Sequence, residues 1–242
     1  MNIQAHWVRI VSCPVFSLSH MFGSVRLCEG GFSVLREADQ GRNRHLKALL
    51  GGNWDTMKEI RLHGRGGQGA VMGAEMLAYA FVLEKRYASS FPTFGAERRG
   101  APVAAFLRFD DKPIRETHQI YEPECVMVLD PFIAKTTAIF DGLRGDGIAV
   151  LNTPRQDIDV WPAGLKVLGV VDATALALEE IGRAIVNTCM LGVLARVTEW
   201  VKLESVIASL EMNFEGKLRA KNEALVRRGY DSVKIITKGK GK

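Results

Sequence analysis

The sequence predicts an α/β fold: a Rossmann-like, mainly parallel sheet with helices on both faces and a helical C-terminal segment. Three observations carry this. From Met57 onward, short apolar runs alternate with longer segments of helical composition. The later runs are apolar along their length, as strands covered on both faces are. After Asp172 the strand-like runs give way to helical patterns.

Taken in order, EIRLH (59–63) is the first strand candidate, and GQGAVMGAEMLAYAFVLEKR (67–86), rich in Ala, Leu and Met, follows as a helix. YASSF (87–91) is a weaker, polar strand, and APVAAFLRF (101–109) alternates well enough for another. ECVMVLD (124–130) is a short apolar run ending in Asp130, with Pro131 as a stop. GIAVLNT (147–153) and KVLGVVDAT (166–174) are two further buried strands. The helical candidates are ATALALEEIGR, NTCMLGVLARVTEWV, LESVIASLEMNF and EGKLRAKNEALVRRGY. Asn187 or Thr188 is placed to cap the second of these, whose Leu/Met/Val spacing makes an apolar stripe.

Residues 1–56 read differently. HWVRIVSCPVFSLSHMFGSV is broken by Arg9, Pro14 and His20, so it lacks the continuous length of a membrane span and the order of a signal peptide. No sustained period follows it. The expectation is an upstream extension, of the kind a start codon placed too early would add, against the alternative of a short added structural element; a domain spanning 57–233 and a solvated basic tail at 234–242 follow it.

The chain is 47% hydrophobic and 24% charged, values of a globular protein. Its formal charge of +5 divides into +2 for residues 1–56 and +3 for the rest, where Lys234, Lys238, Lys240 and Lys242 alone supply four positive charges. The body is therefore near neutral and carries no basic, aromatic-interleaved stripe of the kind that binds nucleic acid. The four cysteines, Cys13, Cys28, Cys125 and Cys189, show no C-x-x-C spacing, which removes support for zinc or iron–sulfur ligation within this chain. Cys125 and Cys189 lie in apolar runs, where buried reduced thiols are expected, and a reducing cytoplasm fits them.

In IRLHGRGGQGAVMG (60–73), Gly64, Gly66 and Gly69 have the spacing of a dinucleotide-binding turn between strand and helix. The acid expected at the end of the second strand is missing, because YASSF runs into Pro92 and Thr93. Arg65 and Gln68 are bulky inside a turn meant to admit phosphate. Three readings stay open: a nucleotide turn, a purely structural strand-to-helix turn, or a loop presenting Arg65 and Gln68 to another ligand or subunit. A second dense stretch, FPTFGAERRGAPV (91–103), has no secondary-structure period, and its Glu97, Arg98 and Arg99 suit carboxylate or phosphate recognition or an internal ion pair.

Together GRGGQG, FGAERRGAPV and NTCMLG, with VMVLDP, GVVDATALA and KNEALVRRGY in support, resemble the gamma subunit of 2-oxoacid:ferredoxin oxidoreductases, pyruvate:ferredoxin oxidoreductase above all. The resemblance covers nearly all of 57–236 and does not reach 1–56. It implies a cytoplasmic enzyme converting a 2-oxoacid, coenzyme A and oxidised ferredoxin into acyl-CoA, carbon dioxide and reduced ferredoxin. It also implies alpha, beta and delta partner subunits carrying thiamine diphosphate, Mg2+ and [4Fe-4S] clusters. The gamma chain is then an accessory subunit bordering the active site, with no catalytic residue, metal or cofactor of its own. Gly64, Arg65, Gly66, Gly67, Gln68, Gly69, Glu97, Arg98 and Arg99 become candidates for contact with coenzyme A or with a partner. His63 and His118 are isolated, and each is expected to be structural or solvent-facing. The reading from a different class is a free-standing NAD-dependent oxidoreductase or nucleotide-binding module.

Overall fold

A computed structural model describes residues 57–93, 100–133, 139–155 and 161–237. The expected extension at 1–56, Glu97, Arg98 and Arg99 of the second motif, and the terminal KGKGK lie outside the described residues.

The strands are β1 (Lys58–Arg65), β2 (Tyr87–Thr93), β3 (Pro102–Asp110), β4 (Cys125–Val128), β5 (Gly147–Asn152), β6 (Leu165–Val171) and β7 (Lys234–Thr237). The helices are α1 (Ala70–Leu83), α2 (Ala173–Ile181), α3 (Asn187–Thr198), α4 (Leu203–Ser209), which ends in a short 3₁₀ turn, and α5 (Gly216–Ser232). All seven strands form one sheet in the order β2-β3-β1-β4-β5-β6-β7. β1, β4, β5 and β6 run parallel, while β3 and β2 on one side and β7 on the other are antiparallel to their neighbours. The parallel core is made of the apolar runs: every residue of β4 and β5 is buried.

Alternation along the strands separates two faces. On one face Ile60, Leu62, Leu107 and Phe109 are buried, and Phe109 stacks on Phe81 of α1 with ring centroids 3.8 Å apart. There Gly169 of β6 leaves room for α3, since a Cβ at 169 would lie 2.5 Å from a methyl of Val197. On the other face Val126, Val128, Ala149, Leu151, Leu168 and Val170 pack with Ile133, Ile139, Leu143 and the partly buried Trp161.

Around β1 and β3 that second face is charged instead. Arg108, fully buried, donates from Nε to Glu59 Oε1 at 2.7 Å and from Nη1 to the His118 carbonyl at 2.7 Å. Arg61 donates to the carbonyls of Ile139 and Asp141 at 2.9 and 2.7 Å, tying the covering segment to the sheet.

Two expectations change. The tail placed at 234–242 begins too early, because Lys234–Thr237 adds β7 to the edge of β6. Its sequence is KIIT, and only Ile236 is partly covered, as befits a short edge strand that opens with a lysine. Nor does Asn187 or Thr188 cap α3: Val186 holds the cap position with no side-chain cap bond. Asn187 and Thr188 are already inside the helix, buried and spent on tertiary contacts, with Thr188 Oγ1 donating to Asn222 Oδ1 at 2.9 Å.

Candidate site at the carboxyl ends of the parallel strands

The glycine turn leaves β1 at the carboxyl edge of the parallel strands, where open α/β sheets hold their sites. Gly67 and Gly69 have positive φ, +98° and +78°. At 69 glycine is required twice. The left-handed backbone favours it, and a Cβ there would lie 2.5 Å from Asn187 Nδ2. That amide also donates to the Gly69 carbonyl at 3.4 Å. The GRGGQG turn and the NTCMLG helix, more than a hundred residues apart, are therefore in contact.

Asp130, two residues beyond β4 and buried, organises the turn. Its Oδ2 accepts from Gln68 Nε2 at 2.7 Å and lies 3.3 Å from Arg65 Nε. Its Oδ1 accepts from the backbone N–H groups of Phe132 and Ile133 at 2.8 and 3.2 Å. Gln68 returns through Oε1 to the Arg65 N–H at 2.7 Å, and the Arg65 guanidinium lies over the Phe132 ring at 5.5 Å. Arg65 and Gln68, awkward as phosphate-turn residues, are thus the side chains that tie the turn to the end of β4.

The second motif roots in the same place. The Gly66 N–H donates to the Ala101 carbonyl at 3.0 Å, and Arg65 pairs with Pro102 in the β1–β3 register. The Gln68 N–H donates to the Arg65 carbonyl at 3.0 Å. Three N–H groups that a phosphate-cradling turn would aim outward, those of Arg65, Gly66 and Gln68, are therefore engaged inside the protein. The topology differs from a dinucleotide unit too. After α1 the chain does not return parallel beside β1 but runs to the sheet edge as β2, antiparallel to β3. The place for a ribose-binding acid beside β1 is taken by β3.

Asp130 was treated in the sequence only as the end of a strand, and nothing in its run singled it out as a site residue. The usable signal was positional. Polar residues close three successive parallel strands: Asp130 after β4, Asn152 ending β5 and Asp172 after β6. Asn152 Nδ2 donates to the Leu129 carbonyl and to Thr174 Oγ1, and Asp172 Oδ1 caps α2 at the Ala175 N–H. Replacing Asp130 by Ala strands several buried donors at once. Asp130→Ala is expected to cost about 2–3 kcal/mol in urea unfolding and to speed amide exchange at residues 65–68.

His63 sits next to the turn and accepts from Arg61 Nε at 3.0 Å. Burial, reinforced by the Arg61 charge, pushes it down to about 4. Its neutral form therefore contributes stability that is complete above the ordinary value of 6.5 and is lost as pH falls toward 4. A His63→Gln variant, which keeps an acceptor, is expected to lose about 2 kcal/mol less than the parent between pH 7 and pH 4.5 in parallel denaturation curves. His118 is exposed and contributes its carbonyl. Cys125 and Cys189 are free and buried, and burial raises both thiols, Cys189 to about 12. Among the described residues no group of three or more His, Cys, Asp or Glu is arranged to hold a metal ion. None of their helices is long and apolar enough to cross a membrane.

Residues 59–232 match the family model for pyruvate ferredoxin/flavodoxin oxidoreductase. The chain is 47% identical over 183 residues to the pyruvate/ketoisovalerate oxidoreductases common subunit gamma of Pyrococcus abyssi, covering 74% of this chain and 99% of that one. It is 47% identical over 180 residues to pyruvate synthase subunit PorC of Methanothermobacter thermautotrophicus, covering 74% and 98%. The crystal structure of pyruvate oxidoreductase subunit PORC from Thermotoga maritima superposes with a TM-score of 0.64 at 39% identity, over 74% of this chain and 98% of that one. A fold whose linked motifs meet at one rim, matched nearly end to end by such relatives, places the chain in the pyruvate ferredoxin/flavodoxin oxidoreductase family, as a gamma-type subunit.

Proposed function

We propose that this chain serves a multisubunit 2-oxoacid:ferredoxin oxidoreductase as the subunit that docks against the thiamine-bearing partners through the rim around Asp130. Pyruvate is the 2-oxoacid: pyruvate, coenzyme A and oxidised ferredoxin give acetyl-CoA, carbon dioxide and reduced ferredoxin in the cytoplasm. Thiamine diphosphate, Mg2+ and [4Fe-4S] clusters belong to alpha, beta and delta partners, and coenzyme A enters as co-substrate. The relatives named for pyruvate support this substrate. The Pyrococcus abyssi gamma subunit is by its name common to two oxidoreductases, which fits substrate choice lying on the partners.

The observation that carries the docking role is the locked turn. Asp130 and Gln68 use up its inward polar groups, while a side chain at Gly67 would meet nothing within 4 Å of its Cβ and Phe132 stands 62% exposed beside Arg65. A rigid edge bearing an aromatic and an arginine, with its own hydrogen bonds satisfied, is a good docking surface. We extend the same proposal to Glu97, Arg98 and Arg99, which precede Gly100 and Ala101 in the sequence. The engaged N–H groups of Arg65, Gly66 and Gln68 weigh against coenzyme A phosphate binding in the turn. In Arg99→Ala, association with the partners is expected to weaken about ten-fold or more, while the KM for coenzyme A in the complex that still forms stays unchanged. A raised KM with full assembly would instead assign the rim to coenzyme A.

A further inference from the structure

Away from that rim, a groove of about 470 Å3 opens between the α2–α3 connection and the start of α5. Ile181, Ile185, Phe214 and Leu218 supply its apolar lining, and Arg183, Lys217 and Lys221 stand around it. No acidic side chain lines it. The three cations make no ion pair among the described residues, whereas the neighbouring Arg227 and Arg228 are paired with Glu223, Glu179 and Glu180. Part of the groove's apolar lining is open to solvent. Ile185 and Leu218 within it are 37% and 48% exposed, and Leu178 and Met212 close by in the chain are 50% and 42% exposed.

The first turn of α5 sharpens the charge argument. Helix starts favour acids, because the unpaired N–H groups there leave partial positive charge. The first turn of α5 has no acid and contains Lys217, with Lys221 one turn on along the same face; the acid at this helix start is Glu215, which holds the cap position without a side-chain cap bond. Arg183, Lys217 and Lys221 outnumber Glu215, so net positive charge stands over an apolar floor. For an isolated chain this costs stability; opposite an acidic partner it becomes favourable.

We propose that this groove receives an acidic, apolar-anchored segment of a partner subunit, one or two aliphatic or aromatic side chains filling the floor and flanking carboxylates pairing with Arg183, Lys217 and Lys221. The occupant is a protein segment because a small anion would leave the exposed Ile185 and Leu218 uncovered, and because the charges form an open rim rather than an enclosed pocket. This rests on the chain's being a subunit of a larger complex, but it concerns a surface distinct from the glycine-turn rim.

The test uses the complex purified through a tag on the full chain. Zero-length carbodiimide coupling followed by mass spectrometry is expected to join Lys217 or Lys221 to an Asp or Glu of a partner subunit, next to apolar residues. In Lys217→Glu/Lys221→Glu, two exposed substitutions that leave the packed face of α5 untouched, those links disappear. Association weakens about ten-fold at low salt, and its salt dependence flattens. Links from these lysines only to a second copy of this chain overturn the proposal. So does a small anion seen on the groove by native mass spectrometry with no links at all, or a double variant that assembles like the parent. Recovery of the parent chain without any partner overturns the subunit reading itself, whereas an intact complex without these links overturns the groove alone.

Discussion

Arg108→Ala is expected to destabilise the protein by about 3–5 kcal/mol, the largest loss from any single side chain on the charged face of the sheet. Arg108 is fully buried between β1 and β2, paired with Glu59 at 2.7 Å and placed over the Phe91 ring at 5.4 Å. Removing it leaves the Glu59 carboxylate buried with only Arg144 near, at 3.5 Å, and leaves the His118 carbonyl without its donor. The pair itself need not be strongly stabilising, because desolvating two charges offsets much of their attraction. A neutral double variant, Arg108→Met/Glu59→Gln, should therefore be much closer to the parent than Arg108→Ala. Equilibrium urea unfolding of the two variants and the parent checks both statements. Equal losses in the single and double variants would show that side-chain volume, not the stranded charge, sets the cost.

Gly192→Ala is expected to cost about 2–3 kcal/mol, against the sign of helix propensity, which favours Ala over Gly by about 1 kcal/mol. Gly192 lies in the middle of α3, where α5 crosses it. A Cβ at 192 would fall 2.0 Å from the Val226 carbonyl oxygen and 2.9 Å from its carbon, both backbone atoms that cannot turn aside. The contact is reciprocal. A Cβ at Gly229 of α5 would lie 2.4 Å from the Cys189 carbonyl oxygen. The helices approach this closely because each has a bare backbone where it meets the other, and a methyl would separate them and open the packing of Leu225 and Val226. Gly73→Ala in α1 is the control: its nearest neighbour would be Asn187 Cβ at 3.7 Å, an ordinary contact. There propensity should prevail, and thermal unfolding should show a gain of about 0.5–1 kcal/mol.

These two sites mark what the sequence could and could not reveal. CVMV and GIAVLN read as buried strands because burial on both faces leaves no polar position, and the parallel core followed from that. Strand direction left no such trace. PVAAFLRFD alternates equally well beside β1 or at an edge, and only the register shows β3 between β1 and β2, displacing the second strand that a dinucleotide unit requires. Arg108, read from the sequence, was one charge in an apolar run; its partner Glu59 is forty-nine residues away. Asn187 looked like a helix cap because its type and place suit one, yet the Gly69 backbone claims its side chain. The linked motifs were legible as family signatures. Asp130, which holds the turn together, was not, because a carboxylate's role at a strand end depends on what folds over it.

Whether this chain works inside a larger oxidoreductase rather than alone is decided by purifying the tagged full chain from its native source. The chain is expected to come with thiamine-binding and ferredoxin-like polypeptides, in a preparation that reduces ferredoxin only when pyruvate and coenzyme A are both supplied. Recovery of the chain by itself, well behaved, binding a dinucleotide and transferring hydride without partners, would contradict it.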